Sequence, residues 1–231
     1  MNSTLPAHRY WLPRAKFLLF GTIALMMLVV IYKDLPLLHP TSAIADHYRP
    51  FKWWLLPHGI AGGLALFLGP VQFSKRLRQR FLGWHRIAGR VYVYGVAVAA
   101  PLGVYIEYVK YTHGIGSLPL VIATVGFATL WLVTTGIGFI LARRRMIQDH
   151  RKWMTRSYAV ALIFLETRCV DQIPLLTAML ERPSRVLESH SISDLWIYVL
   201  FAPIAAELVL QCEKMLNKAS VRNKLRSAAS A

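Results

Sequence analysis

Residues 118–142, LPLVIATVGFATLWLVTTGIGFILA, decide the fold class, because twenty-five residues pass without one charge. As a helix this stretch would be about 37 Å long, more than the roughly 30 Å hydrocarbon core of a bilayer. Lipid offers the backbone no hydrogen-bond partner, so a run of this kind has to satisfy its own amides as a helix. Phe17 to Tyr32 is likewise free of charge.

Working outward from these runs, the 231 residues are 55% hydrophobic and 16% charged. Soluble domains carry about 25% charged residues. Apolar stretches at about 16–32, 53–73, 91–109, 118–142, 157–180 and 194–212 predict six transmembrane helices. The connections are short, so neighbours should run antiparallel, with spans two to five as a central four-helix bundle. The expected fold is an all-α membrane protein forming one transmembrane domain over 1–231. The polar, small-residue stretch 218–231 reads as a disordered tail. The long apolar run and the distant Ala43-Ile44-Ala45 argue that span one is retained rather than cleaved as a signal peptide.

The net charge of +16 raises the question of nucleic acid, and its distribution answers it. Three Lys/Arg precede span one, six lie in 74–90, six in 143–156 and five follow span six. The alternate connections hold three, one and two, and Arg168 falls inside span five. This alternation is the positive-inside pattern. It predicts a multi-pass protein of the cell (inner) membrane with both termini cytoplasmic, with membrane lipids and not nucleic acid as its polyanionic surroundings. Six of the seven Trp fall at span ends, and Trp131 is the exception. Cys169 and Cys212 lie in or beside spans, so no disulfide framework is expected.

The most informative pattern is a repeat. His58-Gly59-Ile60 opens span two, and His113-Gly114-Ile115 precedes span four. His85-Arg86 with Arg90-Val91-Tyr92 leads into span three, and His150-Arg151 with Arg156-Ser157-Tyr158 leads into span five. Up-and-down packing then predicts His58 and His113 near one membrane face and His85 and His150 near the other, in two tiers about 23 Å apart. Facing histidines in a helix bundle are what bis-imidazole haem ligation needs. Arg86, Arg90, Arg151 and Arg156 suit haem propionates, since guanidinium binds carboxylate in bidentate fashion. Anchoring of helix ends to anionic headgroups is the competing explanation for these basic motifs. For His58 it is a hydrogen bond to a neighbouring helix, and for His113 a place in a glycine-rich turn.

This ligand order resembles the six-helix, two-haem transmembrane cytochrome b family, which moves electrons from ascorbate-like donors across membranes. That resemblance implies haem b held by His58 with His113 and by His85 with His150, and an electron donor, acceptor or quinone as partner. At the level of residues the chain is similar to a bacterial membrane-protein family called domain of unknown function 2306. The carriers are His58-Gly59, Gly69-Pro70-Val71-Gln72-Phe73, 85–92 (HRIAGRVY) and 150–158 (HRKWMTRSY). This second resemblance implies a fold and a membrane location, and no particular activity.

Span five also holds Glu166, Arg168 and Asp171, an intramembrane polar cluster that should face the bundle interior. It motivates a rival to the electron carrier: a cofactor-free small-molecule or ion transporter, or a sensor. A membrane metalloenzyme or an assembly partner are further alternatives. Gly59, Gly62, Gly63, Gly69, Gly126 and Gly136 suggest close helix approach. His39 and His47 read as solvated loop residues. No phosphate loop, HExxH pair or GxSxG elbow occurs.

Overall fold

A computed structural model describes residues 21–29, 31–32, 52–170, 207 and 210–211, excepting the side chains of 52, 75–77 and 165–170. Five helices follow one another: α1 (Lys52–Gln72), α2 (Lys75–Arg80), α3 (Leu82–Thr112), α4 (Leu118–Arg143) and α5 (Ile147–Val170). No strand occurs among the described residues.

Three helices are long and apolar enough to cross a membrane: α1 from Trp53, α3 and α4. The expectation of six spans is therefore met by three among the described residues. The described part of α5 falls short in composition, because Asp149, Arg151, Lys152 and Arg156 all lie in its first three turns. Residues 21–29 and 31–32 are helical inside expected span one, as are 207 and 210–211 inside expected span six. The rest of spans one, five and six, the expected tail and Asp171 lie outside the described residues.

Two boundaries differ from the expectation. Helix α3 begins at Leu82 rather than near 91, and α5 at Ile147 rather than near 157. Both motifs that open with His-Arg are thus helical, because they hold no proline and their arginines favour helix over coil. At 31 residues α3 is about 46 Å long, so one end must stand clear of the hydrocarbon. Helix α2 (KRLRQR) was not expected; it occupies part of what reads as a basic loop.

Helix α3 packs against α1 and α4, α4 packs against α5, and α5 returns to α1, closing a four-helix ring. Small residues bring α1 and α3 together: a Cβ on Gly95 would stand 2.7 Å from the Ala61 carbonyl oxygen. Around them Val96, Ala99, Phe127, Trp131, Val160 and Ala161 form the buried core. Ile23 and Met27 of segment 21–29 pack against Leu66 and Leu162, along the α1–α5 seam. Trp53 and Trp84, at helix ends, are 84% and 68% exposed. Trp131 is buried in the core instead, and its exception from the aromatic belt has a structural cause described below.

The α3–α4 and α4–α5 turns share one backbone design. At the first, Gly114 N–H donates to Tyr111 O (3.1 Å) and Ile115 N–H to Lys110 O (2.9 Å). At the second, Arg145 N–H donates to Ala142 O (3.1 Å) and Met146 N–H to Leu141 O (3.0 Å). Both are Schellman caps with a left-handed residue at the same position. It is Gly114 (φ 72°) in one and Arg145 (φ 59°) in the other. The second turn lies at the end of the bundle that also holds α2, hereafter the basic end.

Candidate functional site

All four bundle helices contribute to one level near the basic end. Gln72 closes α1 and lies against the first turns of α3. In the orientation that satisfies both ends of its amide, Nε2 donates to His85 Nδ1 (2.8 Å) and to the His85 carbonyl (3.2 Å). Its Oε1 then accepts from Gly89 N–H (3.2 Å). Across the bundle, His150 Nδ1 donates to the Gly138 carbonyl of α4 (2.7 Å). A Cβ on Gly138 would stand 2.7 Å from Met154 Sδ, one turn beyond His150, so the methionine side chain packs on this glycine. Tyr92 and Ser157, each seven residues further along α3 and α5, are hydrogen-bonded at 2.8 Å, so His85 and His150 lie at the same level of the bundle.

Their hydrogen bonds select complementary tautomers of the neutral rings. A carbonyl only accepts, so His150 carries a proton on Nδ1, and in the neutral ring the lone pair is at Nε2. His85 accepts at Nδ1, so its neutral ring carries the proton on Nε2. One ring offers a donor and the other an acceptor.

Two turns further into the bundle lies a buried hydroxyl network. Tyr92 is seven residues after His85, and Ser157 seven after His150, so the same helix faces carry both layers. Thr135 Oγ1 donates to the Trp131 carbonyl (2.7 Å) and so must accept from Ser157 Oγ (2.7 Å). Ser157 in turn accepts from Tyr92 (2.8 Å), and Tyr92 from Trp131 Nε1 (3.4 Å). The chain of donors starts and ends on Trp131, and every proton in it is used. It is a clip across α3, α4 and α5 rather than an open relay, and it explains why Trp131 leaves the aromatic belt. Tyr158 completes the ties by donating to the Leu66 carbonyl of α1 (3.2 Å). Its ring lies on Gly69, where a Cβ would overlap it, and against Phe73 at 5.5 Å.

The sequence motifs therefore meet in space: Gly69, Gln72 and Phe73 of the first against His85, Gly89 and Tyr158 of the others. The family model "Predicted membrane protein (DUF2306)" matches residues 55–207. The chain belongs to this family. It is an integral membrane protein. No curated protein and no solved structure matches it.

The remaining expected site residues of this DUF2306 protein are placed as follows. His58 lies on α1 with Nδ1 donating to the Ala99 carbonyl of α3 (2.8 Å) and its ring against Gly103. His113 caps the end of α3, exposed, with Nδ1 turned back to the Val109 carbonyl (2.8 Å). Ten residues of α3, about 15 Å, separate Gly103 from His113, so His58 and His113 are not brought together. The physical reason is that His113 ends its helix, whereas His58 lies two turns inside its own. Arg86 and Arg90 are exposed at the basic end. Arg156 pairs with Glu207 (2.6 Å) and lies over the Trp153 ring, and Arg151 is half-buried. Glu166 and Arg168 lie on α5, their side chains outside the description, and Asp171 lies beyond it. Of the six glycines expected to permit close approach, Gly69 is the tight one. Gly62 makes an ordinary contact, and Gly59, Gly63, Gly126 and Gly136 face open space.

Among the described residues, no three His, Cys, Asp or Glu side chains gather as a metal site would need. The residues that the sequence did not single out for a role are Gln72, Thr135, Gly138, Met154 and Ser157. Gln72 and Ser157 already stood inside motifs; their partners lie on other helices, which no local pattern reveals.

Proposed function

We propose that this membrane protein is a proton-handling transporter whose working centre is the His85–His150 pair at the basic end. The observation that carries the proposal is the complementary protonation of the two rings. A ring with a donor and a ring with an acceptor at one level of the bundle suit the passage of a proton between α3 and α5. Gln72 and the Gly138 carbonyl hold the two rings through their Nδ1 atoms. The polar cluster at Glu166, Arg168 and Asp171 supports the same reading. Arg168 follows His150 by five helical turns, about 27 Å along α5.

The test is reconstitution in vesicles holding a trapped pH dye, with a potassium gradient and valinomycin to drive uptake. Wild-type vesicles should acidify faster than empty ones, and H85Q or H150Q should lose at least tenfold of that flux. E166Q and D171N should also lower it. Equal rates for wild-type and empty vesicles would overturn the proposal.

A second reading keeps the electron carrier, with one b-type haem at the same pair. What favours it is the Nδ1 anchoring of His150 to a carbonyl, the usual outer partner of a metal-ligating histidine. His85 would join as second ligand only with the Gln72 carboxamide turned over, so that Nδ1 donates and Nε2 binds. Arg86 and Arg90 would be placed for propionates. Bound haem would supply one-electron chemistry. A Soret band in protein purified from haem-replete cells, lost in both H85A and H150A, would decide for this reading, and its absence from wild type would exclude it.

A further inference from the structure

We infer that the α4–α5 turn, with α2 beside the same end of the bundle, is a binding surface for anionic phospholipid headgroups. Three observations carry this, none of which involves the histidines.

The first is charge. Segments 74–90 and 143–156 hold twelve Lys/Arg and one acid, Asp149, which is taken by Lys152 (2.8 Å). Arg143, Arg144 and Arg145 are exposed, and among the described residues none of the three is in an ion pair. The second is the apolar surface interleaved with the charge. Phe81, Leu82, Trp84 and Ile87 after α2, and Met146 and Ile147 after the arginines, are all exposed by 45% or more. The Arg80 guanidinium lies over the Phe81 ring at 5.5 Å from its centre. Cations beside exposed aromatic and aliphatic groups match the headgroup and upper acyl region of a bilayer.

The third observation is conformational. Arg145 occupies the left-handed position of a Schellman cap, where glycine is the unstrained choice. The equivalent turn at the other end does use glycine, Gly114. A cation in place of glycine at the tip of a turn points to a ligand that needs the charge there. The occupant is a lipid rather than a soluble polyanion because the cations share their surface with apolar side chains that water would disfavour.

The experiment uses the full chain in nanodiscs of pure phosphatidylcholine and of seven parts phosphatidylcholine to three of phosphatidylglycerol, with melting temperature as readout. Wild type should melt several degrees higher with phosphatidylglycerol, by an increment that added salt reduces. R145G should melt above wild type in pure phosphatidylcholine, where its backbone strain is relieved, yet lose about half of the phosphatidylglycerol increment. R143Q/R144Q should lose a similar share without the gain. An unchanged increment in all variants, or no increment in wild type, would overturn the inference. So would an equal increment from a short DNA duplex added to phosphatidylcholine discs, since the surface would then read polyanions in general.

Discussion

The two Schellman turns make a controlled comparison inside one molecule. Their two capping hydrogen bonds correspond, and the left-handed position holds Gly114 in one and Arg145 in the other. A left-handed arginine costs about 1 kcal/mol or slightly more relative to glycine. A cation near an anionic membrane surface gains about 1 kcal/mol. The two terms are of the same size, so a basic turn tolerates backbone strain that a glycine turn avoids. The rest of the molecule follows the same division. At the basic end, side chains from four helices interlock: Gln72 on His85, His150 on Gly138, Tyr158 on Gly69. At the other end His113 bonds only within its own last turn.

The sharpest way to break this comparison is to fill a close approach. Gly69→Leu forces a side chain into the Tyr158 ring and should destabilise the fold by about 3 kcal/mol, at the upper end of overpacking costs. Gly59→Leu, in open space towards the other end of α1, should leave the melting temperature unchanged. Equal effects at the two positions would remove the distinction between a filled approach and an open one.

Next in size is the hydroxyl clip. Tyr92→Phe deprives Ser157 of its donor and Trp131 of its acceptor, and should cost about 1–2 kcal/mol in a detergent unfolding titration. Tyr111→Phe, on the exposed end of α3, is the matched control and should cost nothing measurable. The turns come third. Gly114→Ala should lose about 1 kcal/mol, whereas Arg145→Gly should gain about as much in a neutral bilayer. The smallest effect is expected at His113: replacement by Ala should stay within about 0.5 kcal/mol, as for exposed residues that hold no other element in place.

Much of this architecture was legible in the sequence. The uncharged run at 118–142 became α4, and the His-Arg motifs marked the helices that meet at the basic end. Trp131 declared itself by being the one tryptophan away from a span end. The boundaries were less legible, because a basic motif reads as a loop at a membrane surface, although Arg86, Arg90, Arg151 and Arg156 are all compatible with helix. The pairing of His58 with His113 rested on shared order along the chain. Position along a helix axis decides contact, and His113 stands at a helix end. Gln72 could not have been tied to His85 from sequence, since their meeting depends on how α1 and α3 approach through Gly95. Nor could Arg145 have been read as left-handed, because arginine is not the residue that conformation selects.

Cross-linking of introduced cysteines tests the central claim most directly, on a background with Cys169 and Cys212 replaced by Ser. Cysteines at 85 and 150 should be joined by a short flexible bismaleimide in native membranes, and cysteines at 58 and 113 should not. Joining at 58 and 113, with none at 85 and 150, would contradict a working centre built from His85 and His150.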